Sequence, residues 1–383
     1  VSTQNRYDID HFAETANNGI LNDIWNAWYN GIYRCNDVLD HMTGAKIANY
    51  DKYRGECLFL RSWWYFNLYR VFGVVPITRT VVTPAAAKLI PRCTEEEMYT
   101  LLTEDLAEAA RLLPPTPGPE KARVANIAAY TLLAKVYLTF GKPAEAKTAL
   151  EEAMKNTSYG LESTTKKVFD VGNKMNREII FALYYNKTND NGHGYWYSAN
   201  TDVLADINNP TPTFKAIYDS EKDNRLPLIS SYTKIKDNLF AMTKWYDTYD
   251  ATYTTQVGND FPHLRYADVV LMYAEALAES GGSLGDALEW LNKTRTRAGL
   301  DELTTDEVKS LAEFRRELAA ERGREFALEG HRWFDLVRLG LAVDYFREMG
   351  YSLDSHNLIF PIPQNQIEIV NNPSILWQNP GFN

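Results

Sequence analysis

Two stretches of the chain combine aromatic rings with polar side chains, and the first contains Tyr195, Trp196, Tyr197, Asn200 and Asp202. In an extended chain the rings at 195 and 197 point to one side and the ring at 196 points to the other. Tyr and Trp offer a flat apolar face with a polar edge, which suits the C–H face of a sugar. Asn and Asp can bind its hydroxyl groups. This stretch is therefore a candidate carbohydrate contact.

The second stretch contains Trp245, Tyr246 and Tyr249, beside carboxylates and hydroxyls. Together with the first stretch it supplies the parts that a carbohydrate groove needs. The alternative interpretation is that these rings simply cover a helical core. We treat the rings of both stretches as candidate ligand contacts.

Catalysis is not indicated by any motif. A glycosidase needs two carboxylates held about 5–9.5 Å apart, and none of the acidic residues lies in a recognisable motif. A G-x-S-x-G match occurs at 281–285, but it lies in a turn between two predicted helical stretches and not at the strand-to-helix turn that such a nucleophile needs; the chain has no H-E-x-x-H, Walker or C-x-x-C pattern. The histidines are scattered, at positions 11, 41, 193, 263, 331 and 356. The sequence therefore predicts a protein without catalytic residues.

Metal and cofactor sites are not predicted either. The piece Asn189–Gly192 hints at a calcium loop, but Lys187 occupies the position where an acidic ligand should begin it. The 3 cysteines have neither metal-ligand spacing nor a disulfide framework. We expect a solvated turn at 189–192.

Composition limits the class of protein and its partners. A chain of 383 residues exceeds the size of one ordinary core, so one large or two fused domains are expected. The net charge of −10 makes nucleic acid a poor partner. No apolar stretch approaches the roughly 20 residues of a membrane-spanning helix. Aromatic residues reach 13%, which is high.

The scaffold that must position the rings is predicted to be helical. Periodic stretches cover 22–42 and 51–72, and Thr94 with Glu97 forms a capping-box pattern at the start of another helix. Residues 130–153 have the spacing of a tetratricopeptide hairpin about Gly141-Lys142-Pro143, and residues 274–291 form a looser copy. We predict a mostly α fold built from such hairpins.

The remaining regions depart from this pattern. The stretch 156–262 is rich in Asn, Asp, Gly, Thr and Tyr, which predicts long loops with a few short strands. Residues 346–383 are predicted to form an extended tail. We therefore expect a single domain, 1–383, with a helical scaffold at 20–155 and 263–345 and a loop-rich ligand face between them.

The segment from Arg315 to Gly340, RRELAAERGREFALEGHRWFDLVRLG, is the most informative in the chain. Its charges alternate in sign at spacings of three residues, which places each pair on one helix face. The pairs are Glu321 with Arg324, Arg322 with Glu325, Glu329 with Arg332, and Asp335 with Arg338. Apolar residues between them predict two core-packing helices with a break near Gly330-His331.

This segment resembles the C-terminal signature of the SusD/RagB family of outer-membrane glycan-binding lipoproteins. Further stretches resemble the family in the expected order: WNAWYNGIYRCNDVLDHM, GECLFLRSWWYFNLYRVFGVVP, PTFKAIYDSEKDNRL, DFPHLRYADVVLMYAEAL, LNKTRTRAGL, FPIPQNQI and QNPGF. The family's secretion signal and lipidated cysteine have no counterpart in this sequence. We therefore expect a fragment or processed form.

The resemblance implies a function. It predicts a non-catalytic protein at the cell surface that binds glycan and passes it to a SusC-like TonB-dependent outer-membrane transporter. Membrane contact is expected only through a lipid anchor outside this sequence. Two alternatives stay open: a tetratricopeptide-type protein-interaction scaffold, and an α/α-toroid glycoside hydrolase.

The charged signature residues are predicted to be structural. We expect them to form buried or half-buried ion pairs that pin helices together. They are Arg265, Arg295, Arg297, Glu321, Arg324, Glu325, Arg332 and Asp335.

Overall fold

The computed structural model describes residues 3–186, 193–194, 198–200, 210–236, 239–247 and 256–382. The described helices are α1 (Thr3–Asp10), α2 (Gly19–Met42), α3 (Tyr50–Phe72), α4 (Pro84–Ala87), α5 (Glu95–Leu112), α6 (Asn126–Thr139), α7 (Pro143–Met154), α8 (Thr165–Val168), α9 (Pro212–Lys215), α10 (Leu226–Ser230), α11 (Tyr266–Glu279), α12 (Leu284–Arg297), α13 (Leu311–Glu325), α14 (Arg332–Arg338), α15 (Ala342–Glu348) and α16 (Gln364–Val370). The predicted mostly α fold is confirmed.

The strands are short and antiparallel, and all of them lie between the two halves of the helical sequence. They are β1 (Ile179–Leu183), β2 (His193–Gly194), β3 (Ser198–Asn200), β4 (Tyr232–Lys236), β5 (Leu239–Met242), β6 (Gln256–Val257) and β7 (Phe261–Arg265). β1 pairs with β7, β2 pairs with β6, and β5 lies between β3 and β4. Short 3-10 helices occur at Val171–Asn173, Thr243–Trp245 and Ser355–Leu358.

The chain divides into two compact units. Unit 1 consists of residues 1–114 and 336–383, and unit 2 consists of residues 115–335. In unit 1, α3 packs against both α2 and α5. A buried ion pair joins α3 to α5: Arg61 Nε and Nη2 donate to the two carboxylate oxygens of Asp105 at 2.7 and 2.9 Å. The predicted capping box at the start of α5 is confirmed, with Thr94 and Glu97 bonded to each other's backbone N–H.

Unit 2 contains both predicted tetratricopeptide-like hairpins. α6 and α7 pack together, and so do α11 and α12. The turns contain Gly141 and Gly281 at φ of +66° and +85°, a region that favours glycine. Ala134 and Ala146 are completely buried, which allows α6 and α7 to approach closely. α11 also packs against α7, so the two hairpins form one stack.

The C-terminal region differs from the extended tail that the sequence predicts. It contains the last residues of α15, a 3-10 turn and the whole of α16. α16 follows Pro363 and ends at Asn371, whose φ of 48° is the left-handed conformation that commonly ends helices. Ile367, Ile369 and Val370 of α16 are β-branched and have low helix propensity, so the sequence alone does not indicate a helix here.

A buried arginine lies at the centre of unit 2, where β7 meets α11. Arg265 is 0% exposed. Its Nε and Nη2 donate to Glu329 at 2.7 and 2.9 Å, Nη1 donates to Glu178 and Glu325 at 2.7 and 2.8 Å, and Nη2 also donates to the Glu325 carbonyl at 2.7 Å. All five of its N–H groups are therefore satisfied.

A second buried arginine extends this network towards α10. Arg225 contacts Asp223, Glu321 and Glu325 at 2.8, 2.7 and 3.0 Å. Burial alone would raise the pKa of Glu325, but Arg297, Arg265 and Arg225 together hold that pKa below its usual range. Glu325 is therefore charged, and it is paired with all three arginines.

Buried ion pairs are confirmed for most of the predicted residues, and several of their partners lie in other elements. Glu321 does pair with Arg324, at 3.1 Å. Glu325 instead accepts from arginines of other elements, and Arg322 contacts Asp268 and Asp335, each at 2.8 Å. The spacing of three residues describes a helix exposed to water, whereas the last turns of α13 are largely buried and their charges also find partners across the core.

Two of the predicted residues use backbone partners. Arg295 donates to the Asp301 carbonyl at 3.0 and 2.9 Å. Arg332 donates to the Ala319 carbonyl at 2.5 Å. Both interactions fasten helix ends to neighbouring chain, as the structural interpretation requires.

Replacing Arg265 by Met should destabilise unit 2 strongly. The substitution leaves Glu178, Glu325 and Glu329 buried with too few donors, so the free energy of unfolding should fall by about 3–5 kcal/mol. Urea unfolding followed by circular dichroism measures this. Arg111→Met is the control, because Arg111 pairs with Glu108 at the surface and its loss should leave stability unchanged. Equal losses in the two variants would contradict the central role of Arg265.

The stability of unit 2 should also depend on His331. This ring is buried and stacks on Phe326 with 4.6 Å between centroids. Burial, helped by Lys135, lowers the pKa of His331 well below 6.5. The unfolded chain therefore takes up a proton below about pH 6.5 that the folded protein does not, so stability is lost as the pH falls.

The comparison is between wild type and His331→Gln, which removes this titration but keeps a polar group. Between pH 7.5 and 5.5 the wild type should lose roughly 1.4 kcal/mol more of its unfolding free energy than the variant. Parallel pH dependence in urea titrations of the two proteins would refute this assignment.

Candidate ligand-binding site

The strand pairings bring together the flanks of the two aromatic stretches. β2 and β3 lie on either side of 195–197; β2 pairs with β6, and β3 pairs with β5. β5 leads directly into the 3-10 helix that ends at Trp245, and β6 follows the segment 248–255. The described residues that flank the two aromatic stretches are therefore hydrogen-bonded to each other, through the pairs β2–β6 and β3–β5.

The predicted ligand contacts differ in what the structure says of them. Tyr195, Trp196, Tyr197, Asp202 and Tyr249 lie outside the described residues. The backbone of Asn200 lies in β3, opposite Leu239. Tyr246 is half-buried, and its carbonyl accepts a hydrogen bond from Asn259 Nδ2 at 3.3 Å.

Trp245 is a core residue and not an exposed ring. Its side chain is 2% exposed. One ring face stacks on Phe261, with centroids 5.3 Å apart and planes 8° apart, and Phe169 contacts it edge-on at 5.2 Å. Because this core already covers the ring, Trp245 cannot stack on a sugar and is no longer a candidate ligand contact.

The segment 248–255 is closed at its base by buried polar contacts. Asp247 Oδ2 accepts from the Gly258 N–H at 2.9 Å. Asn259 Nδ2 donates to the Phe169 carbonyl at 3.1 Å as well as to that of Tyr246. These bonds hold residues 246–247 and 258–259 together.

Lys174 ties a third chain segment to the same base. Its Nζ donates to the carbonyls of Tyr185 and Gly258, the latter at 2.8 Å, and lies 2.8 Å from Asp260 Oδ1. The Tyr185 N–H donates to the same carboxylate at 3.2 Å. Burial raises the pKa of Asp260, and Lys174 opposes that rise. We call these residues, with Asp247 and Asn259, the loop base.

A buried lysine connects the loop base to the arginine network. Lys244 Nζ donates to Glu329 Oε1 at 2.7 Å and to the Ala327 carbonyl at 2.6 Å, and it lies 4.4 Å from the centroid of the Phe169 ring. Burial lowers the pKa of Lys244, and Glu329 opposes that shift. The candidate ligand loops therefore emerge from a rigid support, as binding sites on loops require.

Unit 1 contains a groove of about 400 Å³ between α2, the segment 76–90 and α16. Its lining is mainly apolar and includes Trp25, Tyr33, Ile369 and Leu376. Tyr33 and Ile369 are 52% and 51% exposed.

The polar atoms of this groove are largely used within the protein. Tyr29 donates to a backbone carbonyl at 2.8 Å, Asn36 Nδ2 donates to the Thr78 carbonyl at 3.1 Å, and Gln366 Nε2 donates to Asn26 Oδ1 at 3.2 Å. These three groups are therefore already engaged within unit 1.

Neither a cluster of metal-ligating side chains nor a membrane-spanning helix occurs in the part of the chain that the structure describes. No group of His, Cys, Asp and Glu side chains in it has the arrangement of a metal site. No helix in it has the length and apolar character needed to cross a bilayer.

Comparison with known protein families shows which family this chain belongs to. The model of the SusD family matches residues 220–382, and a model described as "Starch-binding associating with outer membrane" matches residues 1–138. The chain belongs to the SusD/RagB family. The resemblance predicted from the signature segments is thereby confirmed.

Relatives of this SusD/RagB member match over nearly all of its length. SusD-like protein P2 of Formosa agariphila is 26% identical and covers 98% of this chain and 84% of its own. A structure described as a laminarin-binding SusD-like protein is 26% identical, covers 94% of this chain and 85% of its own, and has a TM-score of 0.76. Surface glycan-binding protein A from Bacteroides thetaiotaomicron, in complex with laminarihexaose, is 22% identical, with coverage of 99% and 90% and a TM-score of 0.79.

Sequence reasoning missed the loop base. Lys174 and Asp260 lie 86 positions apart by their numbers, and no motif joins them. The sequence feature that could have drawn attention to this region is the pair Tyr184-Tyr185, directly after the apolar run of β1.

Replacing Trp245 by Ala should lower the free energy of unfolding of unit 2 by about 3–5 kcal/mol, because it removes a buried indole from a packed core. The matched control is Trp377→Ala, since Trp377 is 42% exposed and its loss should have a much smaller effect. Thermal unfolding of both variants measures the difference, and a stable Trp245→Ala protein would argue against the core assignment.

Proposed function

We propose that this SusD/RagB protein binds glycan at the cell surface and performs no catalysis. The observation that carries the proposal is the likeness along 94% of the chain to a laminarin-binding SusD-like protein. A second support is the match of residues 1–138 to a family described as starch-binding.

The glycan site is placed on the loop-rich face of unit 2. Tyr195, Trp196 and Tyr197 would stack on sugar C–H faces, with Tyr246 and Tyr249 beside them. Asn200 and Asp202 would bind hydroxyl groups. The support for this location is the fixed loop base, which holds both ends of the segment 248–255, and the pairing of β3 with β5.

Affinity at such a site is expected to be modest. An open aromatic groove exchanges bound water for sugar hydroxyls at little net gain, so dissociation constants from micromolar to millimolar, or about 4–8 kcal/mol, are expected. A protein that passes its ligand onward must release it as well as bind it.

The proposed partner is a SusC-like TonB-dependent transporter in the outer membrane, to which the protein delivers its glycan. The description of the matched family, which includes association with the outer membrane, supports this location. Anchoring through an N-terminal lipid belongs to the same proposal. No cofactor is needed for it.

Affinity gels containing laminarin, starch or other neutral glycans test the proposal. The wild type should be retarded on at least one of them, and Trp196→Ala should lose that retardation while keeping its melting temperature. Trp377→Ala is the control, because it removes an exposed Trp from unit 1. Unaltered retardation of Trp196→Ala would remove Trp196 from the site.

The same proteins, incubated with each retained glycan, should release no reducing ends. Release that increases with time would replace the binding proposal by the glycoside hydrolase alternative.

A further inference from the structure

Tyr184 occupies an unusual position at the end of β1. The four preceding residues of the strand, 179–182, are buried, whereas Leu183 and Tyr184 are 44% and 51% exposed. The next residue, Tyr185, is tied to Asp260 and Lys174 of the loop base. The ring of Tyr184 therefore lies on the surface beside the place where the candidate ligand loops begin.

One face of this ring is held by a fixed cation. Lys174 Nζ lies 4.0 Å from the ring centroid of Tyr184, within the range of a cation–π contact. The ammonium cannot move freely, because it also bonds to the Gly258 carbonyl and to Asp260. The contact therefore fixes the orientation of a ring that half exposure would otherwise leave mobile.

A single exposed tyrosine is ordinary on a protein surface. Tyr184 differs because its orientation is set by a side chain that is itself 21% exposed and paired with a carboxylate that is 7% exposed. A ring with one supported face and one free face is organised before a ligand arrives, which reduces the entropy lost on binding.

The electrostatic surroundings restrict the ligand. The charge of Lys174 is balanced by Asp260 at 2.8 Å, so the ring is supported by a neutral pair. The chain as a whole carries a net charge of −10, which opposes the approach of an anionic polymer. These surroundings favour an uncharged sugar over a uronic acid.

We infer that Tyr184 is a stacking platform of the glycan site, that Lys174 orients it, and that its ligand is a neutral pyranose. This rests on the proposed glycan-binding function and adds a contact residue and a ligand class to that same site. The sugar lies against the free face of the ring, and the Lys174–Asp260 pair supports the opposite face.

The first test compares Tyr184→Ala and Tyr184→Phe, with Tyr33→Ala as the matched control. Tyr33 is 52% exposed and lies in the groove of unit 1. Calorimetric titration with a neutral glycan retained by the wild type should show about fivefold to tenfold weaker binding for Tyr184→Ala. Tyr33→Ala should bind like the wild type, Tyr184→Phe should bind more tightly than Tyr184→Ala because it keeps the stacking ring, and all melting temperatures should agree.

The second test asks whether Lys174 acts through the ring. Lys174→Met combined with Asp260→Asn removes both charges, so neither is left buried and unpaired. In that background Tyr184→Ala should weaken binding much less than it does in the wild type, because the ring has already lost its orientation. A purely structural pair would leave the effect of Tyr184→Ala unchanged.

The outcomes separate the two proposals. If the wild type binds no glycan, the proposed function fails, and this inference fails with it. If the wild type binds but Tyr184→Ala binds equally well, only the inference fails. Loss of binding in Tyr33→Ala instead would move the site to the groove of unit 1. Retention on polygalacturonate but not on neutral glycans would overturn the ligand class.

Discussion

Unit 2 is built around a buried guanidinium group whose N–H groups must all find hydrogen-bond acceptors. Arg265 is 0% exposed, and removing such a group from water is unfavourable unless every N–H finds an acceptor. Its acceptors come from Glu178, Glu325 and Glu329, which lie just before β1, at the end of α13 and after that helix. The arginine thus fixes, at one point, segments that are far apart in sequence. These pairings give the charges of the segment 315–340 a structural role.

The same network reaches the candidate ligand face through a shared carboxylate. Glu329 accepts from both Arg265 and Lys244, and Lys244 belongs to the 3-10 helix that follows β5. From there, the hydrogen bonds of Asp247 and Asn259 hold the base of the next segment. A rigid interior with fixed loop ends allows loop sequences to change without loss of the fold.

Local patterns predicted the helical hairpins well, because a helix and its caps depend on residues within a few positions of each other. The capping box at Thr94 and the turns at Gly141 and Gly281 are examples. Predictions that needed distant partners did worse. Glu325 pairs with three arginines from other elements, and Trp245 packs into a core that spacing alone could not reveal.

The sequence by itself determined the helical hairpins, the family and the absence of a recognisable catalytic motif, since each is written in short stretches of neighbouring residues. Only the tertiary structure decided which charges pair, which aromatic rings are buried and where the loop base lies. Lys174 meets Tyr184, Gly258 and Asp260 only after β1 and β7 have paired. The physical reason is that burial and ion pairing depend on distances in space, which folding sets between residues that are remote along the chain.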